Sequence, residues 1–267
     1  MSELHQAWAS KEHATHFDAL SRVPNFVLRQ AYERFNEIQL LNELLAQRSG
    51  PIRLLEVGCA TGEFYRYLRS RHPQVSYVGC DISKPALDRA MQKYPGEGRF
   101  IQTDVDLHAV SSVKPDIVFC RDVAHHQPDP VAFIRKLYAM TASVLVMRLR
   151  TRDQGATVYD VASSCQLNYG AWAPYIIVNS TELLDAVRQF EPRLSRVHLA
   201  KHHMVLGGQH ARLLPKECYL QETGTAESAL VIEKCSGIES CAVREEASAE
   251  NFQFPMVARV ITWLARF

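Results

Sequence analysis

The sequence predicts an α/β protein: a seven-stranded, mostly parallel sheet with an antiparallel last hairpin, an N-terminal helical cap and an inserted lid. Three observations predict it. Short apolar runs alternate with amphipathic helical segments from Ile52 to Met147, the rhythm of strands joined by crossover helices. A glycine turn, Gly58 to Gly62, separates the first run from the first helical segment. Two late runs, Arg196 to Val205 and Ala229 to Glu233, follow a long irregular stretch and suit a hairpin at the sheet edge.

In chain order, residues 17–48 carry Phe26, Leu28, Ala31, Tyr32, Phe35, Ile38, Leu41, Leu44 and Leu45 at helical spacing, closed by Ser49-Gly50-Pro51. This makes residues 1–50 the cap and 51–267 one domain. The strand candidates are Ile52 to Val57, Val75 to Cys80, Phe100 to Thr103, Asp116 to Cys120 and Ser143 to Met147. Glu63 to Arg71, Lys84 to Tyr94 and Pro130 to Met140 read as the helices between them. The polar and aromatic stretch of about residues 148–180 is too long for a plain connection and reads as a lid over a site. A helix capped by Ser180 or Thr181 follows, running to about Phe190. The tail from Phe254 to Phe267 reads as a short closing helix.

Composition narrows the function. The 267 residues carry 30 Lys+Arg against 29 Asp+Glu, a net charge of +1, which disfavours a partner bound by neutralising many phosphates. Seven cysteines, an odd number with no C-x-x-C pair, read as reduced thiols and give no zinc pattern. No metal site is expected. With no apolar leader and no run of about 18 apolar residues, the expectation is a cytoplasmic protein without a membrane partner.

The segment LLEVGCATGEFYRYL carries the chemistry. A buried strand ends in Glu56, turns through Gly58 and Gly62, and opens directly into a helix. Glycine permits the sharp turn and the close approach of a ligand, and the helix start offers free amides. Asp81, about 20 residues past the turn, stands at the second strand end, where a carboxylate accepts ribose hydroxyls. Asp104, at the third strand end, lies near the expected position of an adenine amine. Glu56 suits a ligand amino group better than a pyrophosphate. A nicotinamide or flavin site prefers G-x-G-x-x-G, but the third glycine position is Glu63.

Glu56-Val57-Gly58-Cys59-Ala60-Thr61-Gly62, then Asp81, Asp104 and PDIVFCRDVAHH, resembles the class I S-adenosylmethionine-dependent methyltransferases, which have a Rossmann-like fold. The resemblance covers roughly Ile52 to Met147, with the late hairpin in register with the family's antiparallel seventh strand. It implies S-adenosyl-L-methionine as cofactor and S-adenosyl-L-homocysteine as product. It implies that Gly58 to Gly62, with Cys59 and Ala60, holds the methionine part. Asp81 with Ile82 would hold the ribose and Asp104 with Val105 the adenine, and Arg121 is counted with the cofactor residues. Ala60 departs from the family's middle glycine, implying a slight adjustment of cofactor position.

For the acceptor, His125 and His126 follow the fourth strand, and an imidazole titrates close to working pH. Either could remove a hydroxyl proton; the plainer reading is a loop before a helix capped by Asp129-Pro130. The base-amine motif [DNS]-P-P-[FYW] is absent, since Cys120-Arg121-Asp122-Val123 stands there. Arg148 and Arg150 would bind a substrate anion. Pro192 to Lys216, which includes Arg196, Lys201 and Arg212, contains no Asp or Glu, and together with those arginines would suit a carboxylate or phosphate on the substrate. Tyr169, Trp172 and Tyr175 in the lid would stack on a ring or sugar face. The expected partner is a small-molecule methyl acceptor, methylated on oxygen and anionic or of sugar or natural-product type. RNA or protein methylation, and a catalytically silent partner subunit, stay as alternatives, and monomer or homodimer stays open.

Overall fold

The computed structural model describes residues 3–206, 211–235 and 242–248. In chain order it contains α1 (Lys11–Asp18), α2 (Asn25–Tyr32), α3 (Asn36–Ala46), β1 (Ile52–Val57), α4 (Glu63–Arg71), β2 (Val75–Asp81) and α5 (Lys84–Lys93). Next come β3 (Arg99–Gln102), β4 (Ile117–Arg121), α6 (Pro130–Met140), β5 (Val144–Arg152), β6 (Cys165–Asn168), β7 (Ala171–Pro174) and β8 (Val178–Asn179). The chain continues through α7 (Ser180–Val187), β9 (Leu194–His203), β10 (Arg212–Leu213), β11 (Ala226–Lys234) and β12 (Ala242–Ser248).

The main sheet runs β12-β9-β11-β5-β4-β1-β2-β3, with β8 pairing the far end of β5. β3, β2, β1, β4 and β5 are parallel, and β11 lies antiparallel between β5 and β9. These seven strands are the expected sheet. β8 and β12 extend it, and β12 joins the edge parallel to β9. Its sequence, AVREEAS, is too polar to read as a strand because it covers an edge.

β1, β4 and β5 are buried on both faces, so their side chains sort by parity. Leu54, Ile117, Phe119 and Val146 face α2, α3 and α4 through Leu28, Ile38, Leu41, Phe64 and Leu68. Leu55, Val118, Leu145 and Met147 face α6 and α7 through Ile134, Leu137, Leu183 and Val187. The N-terminal periodicity is split into separate helices. Pro24 starts a new one, Phe35 takes extended backbone before α3, and Phe26 remains exposed.

β5 runs on to Arg152, so Arg148 and Arg150 are strand residues and the insertion begins later than residue 148. Their alternation with Met147, Leu149 and Thr151 places the arginines opposite Ala229 and Glu227 of β11. The insertion folds into a β6–β7 hairpin turning at Tyr169 and Gly170, both at positive φ, with β10 from the later loop completing a three-stranded sheet. The expected helix at 254–267 lies outside the described residues.

α7 is capped one residue earlier than expected. Asn179, the last residue of β8, accepts from the amides of Thr181 (2.9 Å) and Glu182 (3.1 Å) and donates to the Gly155 carbonyl (2.9 Å). Removing a cap costs about 1–2 kcal/mol. Asn179→Ala should therefore lower the midpoint of thermal unfolding by roughly 2–8 °C, read by circular dichroism; an unchanged midpoint would show that the cap contributes nothing.

Candidate active site

A cavity of about 400 Å³ opens at the carboxyl ends of β1, β2, β3 and β4, where open α/β sheets bind ligands. Its floor is the turn after β1. The amides of Gly58 and Cys59 both donate to the Cys80 carbonyl, at 2.8 and 3.1 Å, tying the turn to β2. Gly58 has φ 84°, and a Cβ there would run into Val123 Cγ2. Ala60 also has positive φ, 44°, a region that costs a residue with a Cβ about 1–2 kcal/mol; this is why glycine suits the position. Gly62, at φ 82°, caps α4, and a Cβ there would sit 3.0 Å from Tyr94 and 3.2 Å from Phe100. It shapes the helix start and does not line the cavity, a correction to its expected place.

Asp81 clamps the same turn. Its carboxylate accepts from Ala60 N and Ser83 N, both at 2.8 Å, one on each oxygen. A carboxylate has about four lone-pair sites, and the same side chain lines the cavity. Burial raises the Asp81 pKa, and the Ser83 and Ala60 amides oppose that rise. Glu56 is 4% exposed and lines the cavity; the Tyr77 hydroxyl donates to it, and among the described residues no cation forms an ion pair with it. Burial pushes its pKa up to about 8. Cys59, Ile82, Val105 and the hydroxyl-bearing Thr61 and Thr103 complete this wall. Asp104 sits at the exposed rim, where it accepts from His108 Nδ1 (2.6 Å) and N (3.0 Å), contacts that hold its pKa down.

The other half of the cavity is lined by His125, His126, Tyr169 and Tyr175. His126 Nδ1 lies 2.8 Å from the Pro174 carbonyl. A carbonyl only accepts, so Nδ1 carries the hydrogen and Nε2 keeps the lone pair. Burial lowers the His126 pKa to about 4, leaving it neutral at working pH. Burial lowers His125 well below its ordinary value too, and its Nδ1 has no hydrogen-bond partner. Tyr175 is buried beside both rings, and Tyr169 reaches the cavity from the hairpin tip.

Trp172 is corrected: it is 46% exposed on the outer face of the small sheet and does not reach the cavity. Arg148 is also corrected. It lies outside the cavity, where its Nε donates to Asp122 Oδ1 (2.9 Å) and its guanidinium faces Glu37 and Glu227 (3.6 Å each). Arg150 lines the cavity but is held by Glu227 and donates to the Tyr175 hydroxyl (3.0 Å). Arg121 donates to Glu37 (2.8 Å), its guanidinium over Phe35 and Tyr32. Two cations of the basic run after Pro192 are likewise neutralised, Arg196 by Glu233 and Lys201 by Asp153 and Glu245.

Sequence reasoning missed the roof. His5, Trp8, His13, His16, Phe17 and Leu20 line the cavity from above, with Trp8 packed 4.3 Å from His126 and His13 5.4 Å from Tyr169. The signal was present: three histidines and two aromatics within residues 5–17 of an otherwise polar segment. Gln166 and Asn168, on the inward face of the small sheet, were missed as cavity residues too, whereas Arg212 beside them stood in the basic run expected to suit a substrate anion.

A buried carboxylate with no ion pair among the described residues, a second carboxylate at the end of β2 and a turn closed to side chains fit the ammonium, ribose and methionine chain of S-adenosylmethionine. Fold and site thus define a class I methyltransferase architecture. Residues 55–143 match the family model described as a methyltransferase domain. The chain is similar to trans-aconitate 2-methyltransferase of Variovorax paradoxus, with 29% identity over 42% of this chain and 43% of the relative. It is also similar to tRNA (guanine-N(7)-)-methyltransferase of Chloroflexus aggregans, with 34% identity over 37% of this chain and 45% of the relative. The chain thus spans less than half the length of these curated relatives. Among solved structures, the plantazolicin methyltransferase BpumL in complex with S-adenosylhomocysteine shares the fold, with a TM-score of 0.52 and 17% identity over 87% of this chain and 94% of that one.

The Arg148 cluster generates a stability test. Arg148→Met leaves Asp122, Glu37 and Glu227 short of their shared cation, which costs about 3–5 kcal/mol for a broken buried pair. Denaturant unfolding should show a loss of that size; a loss under about 1 kcal/mol would mean the cluster is solvated.

Proposed function

We propose that this protein transfers a methyl group from S-adenosylmethionine to an oxygen atom of a small-molecule acceptor, anionic or sugar-like in character. The observation that carries the reading is Glu56: a buried carboxylate at the glycine turn, with no ion pair among the described residues and suited to the ammonium of the methionine part. Asp81, which lines the cavity at the end of β2, accepts the ribose hydroxyls. Asp104 at the rim would turn from His108 toward the adenine side. When bound, the cofactor supplies a methyl carbon attached to a sulfonium.

His126 Nε2 is the base. It lines the chamber beside Tyr175, and its Nδ1–H bond to Pro174 fixes the ring in the tautomer that can accept a proton. The acceptor hydroxyl gives its proton to Nε2. The bond from oxygen to the methyl carbon replaces the carbon–sulfur bond, whose electron pair stays on sulfur. The roof of Trp8, His13, Phe17 and Tyr169 keeps water from the reacting atoms. RNA or protein methylation rested on the basic run after Pro192; its Arg196 and Lys201 are paired with carboxylates, which weakens that support.

The direct test is methyl release from radiolabelled S-adenosylmethionine against the small-molecule fraction of a cell extract. Calorimetric titration with S-adenosylhomocysteine accompanies it; if the protein binds neither that compound nor S-adenosylmethionine, the proposal fails. His126→Ala should lower methyl release by about 10²–10⁴-fold while leaving the Kd for S-adenosylhomocysteine within about twofold. Loss of that binding instead would remove His126 from the role of base.

Glu56 imposes a pH dependence. It binds an ammonium only when ionised, and burial holds its pKa near 8 in the free protein. Below that pH, binding must therefore expel a proton, and affinity for S-adenosylhomocysteine should rise up to tenfold per unit of pH until Glu56 ionises unaided. Calorimetry in buffers of different ionisation enthalpy reads the proton. Glu56→Gln should weaken binding roughly tenfold or more and flatten the profile; a flat profile in the unaltered protein would exclude the pairing.

A further inference from the structure

The inward face of the small sheet carries a polar row that methyl transfer itself does not use. Arg212 of β10 stands opposite Gln166 of β6, and Asn168 follows two residues along the same face. All three line the cavity. Arg212 Nε donates to Gln166 Oε1 (3.1 Å), and Gln166 Nε2 donates to Asn168 Oδ1 (2.9 Å). A guanidinium can only donate, so it fixes the orientation of both amides in turn. The row therefore ends in the Asn168 amino group as a donor. Asn168 is 8% exposed, and its Nδ2 is buried without a hydrogen-bond partner.

Charge points the same way. Around this end of the cavity Arg121, Arg148 and Arg150 are held by Glu37, Asp122 and Glu227. Among the described residues Arg212 forms no salt bridge; its guanidinium lies 4.7 Å from the centre of the Tyr175 ring. From the roof, Trp8 Nε1, another group that only donates, is buried without a partner. A chamber presenting unmatched donors and one unmatched cation is complementary to a singly charged oxyanion, because a buried donor left unpaired costs about 1–3 kcal/mol.

We infer that Arg212, Asn168 and Trp8 form a carboxylate subsite, and that the acceptor is a small hydroxycarboxylic acid anchored there while its hydroxyl faces His126. This rests on the methyltransferase reading and deepens it. The Tyr175 ring that carries Arg212 also lies 5.5 Å from the His126 ring, so anchor and reacting oxygen belong on one short skeleton. A phosphate monoester, with up to two charges, would leave one unmatched by the single cation.

The experiment saturates the protein with S-adenosylhomocysteine and titrates in aliphatic and aromatic hydroxycarboxylic acids, their primary amides, and the matching phosphate monoesters. Acids should bind, with matched amides at least about tenfold weaker. Arg212→Gln should weaken the acids by about tenfold or more and Asn168→Asp by more, through like-charge repulsion, with Kd for S-adenosylhomocysteine within about twofold in both. Arg212→Lys should recover part of the loss. The subsite is overturned if amides or phosphate monoesters bind as well as acids, if Arg212→Gln holds acids unchanged, or if no acid binds the loaded protein. Failure of S-adenosylhomocysteine to bind the unaltered protein would overturn the methyltransferase reading instead.

Discussion

The site depends on how the end of β2 grips the turn leaving β1. The Cys80 carbonyl takes two amides of that turn, and the next residue, Asp81, takes a third from Ala60. A backbone passing through positive φ at Gly58, Ala60 and Gly62 would not hold one shape without such anchors. The anchoring carboxylate also faces the cavity, so the side chain that makes the floor rigid is the one proposed to recognise the ribose. Parallel pairing of β1 and β2, in the register Val57 to Cys80, brings these groups together.

That half of the molecule was legible because its signals are local. A continuous apolar run marks a strand buried on both faces, and β1, α4 and α6 fall at the residues their periodicity indicates. Asp81 and Asp104 stand where strand ends must be. The acceptor half depends on contacts distant in sequence. Nothing in Glu227 or Glu37 taken alone says that each will neutralise arginines on β5 or β4. Arg148 therefore read as a substrate ligand, whereas its strand position buries it in an ion cluster. Trp172 misled for a similar reason, since the face a hairpin turns inward is set by its register with β10.

The cavity joins two electrostatic regimes through one wall. On the cofactor side carboxylates predominate, and Glu56 is kept from ionising freely by burial. On the acceptor side the histidines are neutral for the same reason, and the arginines are matched by acids except for Arg212. A positively charged donor and a negatively charged acceptor molecule would thus each meet a complementary surface.

The small sheet has two unlike surfaces. Gln166, Asn168 and Arg212 point into the cavity, while Leu167, Trp172 and Leu213 lie on the solvent side. Because strand residues alternate sides, gaining or losing one residue within 165–168 would turn Gln166 and Asn168 away from the cavity and Leu167 toward it, while Arg212 of β10 keeps its side. The polar character of this face thus depends on strand register as much as on residue identity: point changes would retune it gradually, whereas a single-codon insertion in β6 would strip it of both amides at once.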